Sequence, residues 1–219
     1  MEGIVKLVLL GSPGSGKGTT RDAIAEHYNL KTIIVGDIVK QEIRNDTPIG
    51  RLMYKYTTEG KLVPDEFVMD LVAMQCEDLH DYNGFIIDSA PLSLEQMDAL
   101  DKKIKFDAAI YLRICDYDIV RKRTSLRLVC PNCKYVTSVL CNSDGICPRC
   151  SSHLERRYDD NPQTVETRIK RFIDETLPVV EVLKQEGKVI TVNAENDRDT
   201  VFNEIVQKLD NFFKKSTLK

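Results

Sequence analysis

Five short runs of apolar, largely β-branched residues punctuate the chain, at residues 4–10, 32–35, 84–88, 108–114 and 189–193. Between them the apolar positions spread to helical spacing; within 66–79, Phe67, Leu71, Met74 and Leu79 return at near-helical intervals. Continuous apolar strands alternating with helices predict a parallel α/β sheet with helices on both faces. Several helix starts are spelled out. Ser93 precedes Gln96 by three residues, the capping-box spacing. Asp116 opens a helix expected to carry Arg123 and Arg127 on one face, four residues apart. Asn161-Pro162 sets a capping residue before a proline suited to the first helical turn.

Residues 128–157 break this rhythm. They hold Cys130-Pro-Asn-Cys133, an extended stretch at 135–140, a turn-like Asn142-Ser-Asp-Gly145 and Cys147-Pro-Arg-Cys150. The segment is too short for its own apolar core, and a metal would supply one. Two CxxC pairs suit tetrahedral zinc on four thiolates, a structural site because no coordination position stays open. A pair of disulfides and a nucleic-acid-binding ribbon are the competing readings of the same pattern.

Composition narrows the choice. Hydrophobic residues make up 42% and charged residues 30% of 219, with a net charge of -3. That is ordinary globular composition, with no electrostatic reason to expect a nucleic acid or a membrane. The apolar run at 4–10 is interrupted by Lys6 and lacks the marks of a signal peptide, so a buried strand is expected. Seven cysteines without a secretion signal favour metal binding and a reducing cytoplasm. Cys76 and Cys115 fall in apolar patterns and are expected in the core.

The first strand runs into Gly11-Ser-Pro-Gly-Ser-Gly-Lys17-Gly-Thr19, followed by a helical pattern starting near Thr19. Strand, glycines, lysine and helix together specify a phosphate-binding loop rather than a tight turn that merely contains glycines. Backbone N–H groups close around phosphate oxygens, the helix N-terminus adds positive potential, and Lys17 neutralises charge. Gly18 follows the lysine where Ser or Thr is usual, with Thr19 one step later. Asp88, at the end of the third run, is expected to hold magnesium through water.

These residues resemble the adenylate kinase family. The GxPGxGKGT loop is similar to that family's signature, and so are Gly36-Asp37, Gly60-Lys-Leu-Val-Pro-Asp-Glu66, Gly84-Phe-Ile-Ile-Asp88 and Arg157-Tyr-Asp-Asp160, in order over nearly the whole chain. The resemblance implies a P-loop NTPase-type five-stranded parallel sheet. Its core would be 1–35, 64–127 and 161–219, with an acceptor-binding helical insertion at 36–63 and a zinc-stapled β lid at 128–160. It implies reversible transfer of the γ-phosphoryl group of Mg-ATP to a nucleoside monophosphate, AMP first, in a monomer. ATP would be held by Gly14, Ser15, Gly16, Lys17, Gly18, Thr19, Arg123 and Arg127. The acceptor would meet Asp37, Lys40, Val63, Gln96, Arg157 and Arg168, and the catalytic set would be Lys17, Asp88, Arg123, Arg157 and Arg168.

The chain departs from the family on the acceptor side. Val35 stands where the family has threonine, Lys40 where it has an arginine, and Ser89-Ala-Pro-Leu92 where it has Gly-Phe-Pro-Arg. Losing that arginine would cost about 2–4 kcal/mol in acceptor binding unless another cation compensates. Arg44, Arg51 and Lys61 lie in the acceptor segment and are candidates to compensate. A kinase for another nucleoside monophosphate, and a nucleotide-binding protein with weak or no acceptor turnover, are the alternatives these departures raise.

Overall fold

The apolar runs become the five strands of one parallel sheet in a computed structural model that describes residues 4–58, 63–157 and 159–216. In chain order come β1 (Val5–Gly11), α1 (Lys17–Tyr28), β2 (Lys31–Ile34), α2 (Val35–Arg44), α3 (Pro48–Thr58), α4 (Asp65–Glu77), β3 (Gly84–Asp88) and α5 (Leu94–Asp101). They are followed by β4 (Ala108–Arg113), α6 (Tyr117–Ser125), β5 (Arg127–Val129), β6 (Val136–Ser138), α7 (Pro162–Arg171), α8 (Leu177–Gln185), β7 (Val189–Asn193) and α9 (Arg198–Ser216). The sheet order is β2-β3-β1-β4-β7. A separate antiparallel pair, β5 with β6, lies in the cysteine segment.

Strand side chains alternate between two cores, as a period of two requires. Leu7 and Leu9 pack on one face with Ile24 of α1, Val120 of α6 and Ile205 of α9. Val8 and Leu10 pack on the other with Met69 of α4, Leu100 of α5 and Val180 of α8. Between α7 and α8 the helix widens into a π-turn over residues 172–176. Pro178 has no N–H to return to the carbonyl of Asp174, which accounts for the widening. The Thr176 hydroxyl donates to the Leu92 carbonyl at 2.9 Å.

Several boundaries differ from expectation. Val35 opens α2 instead of closing β2, and α1 begins at Lys17, not Thr19. Arg127 is not on α6: that helix stops at Ser125, and Arg127 pairs with Ser138 as the first residue of β5. A four-residue spacing cannot reveal a strand partner eleven residues downstream. Cys76 is buried as expected, but Cys115 is exposed. It sits past the end of β4, where its N–H donates to Glu195 at 2.7 Å. The caps at Ser93, Asp116 and Asn161 are all present.

The segment after β2 depends on one close approach. Thr47 caps α3 by accepting from the Gly50 N–H at 3.0 Å, and its hydroxyl donates to Glu42 at 2.6 Å. A Cβ at Gly50 would lie 2.0 Å from the Glu42 carbonyl oxygen of α2. Gly50→Ala should therefore push α3 off α2 and destabilise the fold by about 2 kcal/mol. Urea unfolding should show a lower midpoint, and an unchanged midpoint would disprove the tight crossing.

Candidate active site

The glycine-rich loop lies at the carboxyl end of β1. Gly14 (φ 68°) and Gly16 (φ 91°) take left-handed conformations that L side chains rarely adopt. Gly16 also caps α1 without a side-chain bond, so the first N–H groups of that helix are left to the loop. Ser12 and Ser15 are buried there, and their hydroxyls find no hydrogen-bond partner among the described residues. Buried orphan donors beside a helix N-terminus fit a phosphate. Lys17 Nζ donates to the carbonyls of Gly11 at 2.7 Å and Ser12 at 3.0 Å. Burial pushes the Lys17 ammonium down to about 8, opposed by Asp88 and reinforced by Arg168, Arg127 and Arg157.

Those three arginines are kept together by two carboxylates. Arg127 Nε donates to Asp160 at 2.7 Å, and its Nη2 bonds the other oxygen of the same carboxylate. Arg157 grips Asp159 through two bonds of 2.8 and 2.7 Å. Arg168 lies 3.1 Å from Asp159 and 3.6 Å from Asp160. Burial opposes the charge of Asp159, but Arg157 and Arg168 outweigh it and hold the carboxyl below its usual range. Arg123 stands apart, donating to the carbonyls of Ala194 at 2.7 Å and Glu195 at 3.3 Å. Together with Gly14, Ser15, Gly16, Thr19 and Arg127 it lines a cavity of about 890 Å³ between α1, α6, α9 and the β5–β6 ribbon.

Asp88 closes β3, buried, level with Leu9 of β1 and Ile34 of β2. It accepts from the Ser89 hydroxyl at 2.9 Å and from Arg21 Nη1 at 2.8 Å. Each carboxylate oxygen thus keeps a lone pair for a metal-bound water. Gly18 and Thr19 lie on the first turn of α1.

The expected acceptor residues are less converged. Asp37 and Lys40 are both exposed on α2, 3.9 Å apart. Val63 is half-buried. The Gln96 amide accepts from the Leu92 N–H at 2.9 Å and donates to Asp65 at 2.8 Å, joining α5 to α4. Arg51 is exposed and pairs with Asp46 at 3.0 Å. Lys61 and Tyr158 lie outside the described residues.

The four cysteine sulfurs of both CxxC pairs lie within 4.8 Å of one another. Cys130 Sγ is 3.4 Å from Cys150 and Cys133 Sγ 3.5 Å from Cys147. Tetrahedral thiolates on zinc stand roughly 3.8 Å apart for bonds of about 2.3 Å, so the group could hold such a metal.

Sequence reasoning missed Arg21, Asp159 and Asp160 as site residues. Arg21 carries a usable signal, one helical turn after Lys17. The aspartates were visible only as part of a family motif.

Comparison with known proteins agrees with this geometry. The adenylate kinase family model matches residues 9–188. The chain is similar to the adenylate kinase of Acetivibrio thermocellus, 34% identical over 213 residues, spanning 94% of this chain and 98% of the relative. It is 33% identical to that of Ruminiclostridium cellulolyticum, spanning 94% and 99% of the two chains. The adenylate kinase of Mesoplasma florum is 33% identical over 212 residues, spanning 92% and 99%.

The buried ammonium gives a pH signature. With Lys17 near 8 when folded and 10.5 when unfolded, the unfolded chain binds more protons between those values. Stability lost to burying the charge is fully missing below about 8 and is regained as pH rises towards 10.5. Relative to Lys17→Met, the wild type should gain on the order of 2 kcal/mol between pH 7.5 and 10. Parallel urea titrations of the two proteins check this, and curves that do not converge would refute it.

Proposed function

The chain belongs to the adenylate kinase family, and on that premise we propose that it transfers the γ-phosphoryl group of ATP reversibly to AMP. The observation that carries the reading is the gathering of Lys17, Arg127, Arg157 and Arg168 around the glycine-rich loop. Phosphoryl transfer asks for alignment and charge neutralisation more than for an acid or base.

The loop amides, Ser12, Ser15 and Lys17 would receive the donor phosphates, with Lys17 exchanging loop carbonyls for phosphate oxygens. The nucleoside would fill the cavity beside Arg123. Arg157 and Arg168 would meet the equatorial oxygens of the moving group, arriving already oriented by Asp159 and Asp160. Magnesium, when bound with ATP, neutralises phosphate charge, and Asp88 with Thr19 would hold it. Gly36-Asp37, Lys40, Val63 and Gln96 would frame the acceptor.

The chain divides, in this reading, into a core of 1–35, 64–127 and 161–219, an acceptor segment of 36–63 and a lid of 128–160. A lid closing over the phosphates would keep water from taking the phosphoryl group. As thiolates, four sulfurs all within 4.8 Å of one another would repel unless a cation sat among them, which supports zinc as the lid's staple. We take it as a monomer in a reducing compartment, where its seven cysteines would stay free to hold a metal. Among the described residues no helix is long and apolar enough to cross a membrane.

A phosphotransfer assay with Mg-ATP against AMP, CMP, UMP, GMP, dAMP and dTMP tests the function. AMP should be the preferred acceptor, and Lys17→Ala should cut turnover at least a hundredfold. Turnover with none of them, or preference for another monophosphate, would overturn the assignment. Metal analysis of freshly reduced protein should find about one zinc per chain. Stripping it should loosen the lid, read by proteolysis, before the sheet melts; metal-free reduced protein with an intact lid would remove the zinc.

A further inference from the structure

Helix α1 lines the cavity with one of its faces. Thr19, Thr20, Ala23 and His27 face the donor cavity. Arg21 is not among its lining residues and turns instead to β3, one helical turn beyond Lys17, with its side chain 13% exposed. Its guanidinium is pinned from two directions. Nη1 donates to Asp88 Oδ2 at 2.8 Å, and Nε and Nη2 donate to Asp22 Oδ1 at 2.8 and 2.6 Å. Asp88 is level with Ile34, the residue directly before α2. The guanidinium therefore stands at the carboxyl edge of the sheet, at the entrance to the α2–α3 segment.

Those bonds use one hydrogen on each nitrogen, so one N–H on each Nη remains for a ligand. Two N–H groups of a fixed planar fork match two oxygens of a phosphate. In the acceptor segment Arg44 is exposed on α2 and Lys55 is exposed on α3. Lys40 is 65% exposed and paired with Asp37, Arg51 is exposed and paired with Asp46, and position 92 carries leucine.

We propose that Arg21 is the cation that binds the phosphate of the nucleoside monophosphate, with Asp22 and Asp88 fixing its fork. The proposal rests on the kinase reading above and adds to it a binding residue outside the motifs that carry the family resemblance. It also explains how a chain with Leu92 and Lys40 in place of arginines retains a charged grip on its acceptor.

Calorimetric titration of AMP and, separately, of Mg-ATP into wild type, Arg21→Ala and Arg21→Lys decides it. Arg21→Ala should weaken AMP ten- to a hundredfold while Mg-ATP changes less than threefold. Arg21→Lys should fall between, keeping charge but losing the fork. If the alanine variant fails to fold, judged by its thermal melt, Arg21→Gln takes its place. AMP affinity changed less than threefold, or AMP and Mg-ATP weakened in step, would overturn the proposal. A wild type that binds Mg-ATP but no AMP would defeat the kinase reading itself, a result distinct from either.

Discussion

β1 is hydrogen-bonded on both sides, to β3 with Leu9 opposite Asp88 and to β4 with Gly11 opposite Leu112. Because the strands are parallel, their carboxyl ends all open on one edge. The glycine-rich loop, Asp88 and the start of α2 arrive there without further instruction. A register slip of one residue would turn Leu7 and Leu9 into the opposite core and carry the loop away from Asp88. The close fit at Gly84, where a Cβ would meet the Val5 carbonyl oxygen at 1.8 Å, belongs to the same pairing.

That convergence brings like charges together, and the chain answers with carboxylates rather than distance. Lys17 is half-buried beside three arginines, and its weakened hold on a proton reflects mainly the loss of water, then the neighbouring guanidiniums. Asp159 and Asp160 share the arginines between them, while Asp88 balances Lys17 and Arg21. On the proposed reading, the cations are oriented before any phosphate arrives, so little reorganisation would remain for the moment of transfer. Burying an ammonium lowers the stability of the fold, and a site that favours an incoming anion is the return on that strain.

The sequence made the sheet legible because buried parallel strands leave continuous apolar runs, and two of the five, 84–88 and 189–193, coincide with the observed strands. It made the loop and the cysteine cluster legible because both depend on local spacing. What it hid depended on partners far along the chain. Arg127 leaves its helix because Ser138 is available to pair with it, and Cys115 is exposed because β4 ends at Arg113. Arg21 meets Asp88 across sixty-seven residues, a contact no periodicity encodes. Gln96, expected to meet the acceptor, also ties α4 to the turn before α5 through its amide.

The way the cysteine segment is fastened to the sheet has a consequence of its own. Its incoming and outgoing strands are laced to each other: Arg156 to the Ser125 carbonyl at 2.5 Å, Val129 to Glu155 through the backbone, and Arg127 to Asp160. Such a neck makes the insertion a detachable module, whose two feet stay side by side whatever the length or chemistry of the chain between them. That loop could then be shortened, lengthened or re-stapled without redrawing the sheet. A nick at the exposed Leu140 would likewise leave both halves tied in place.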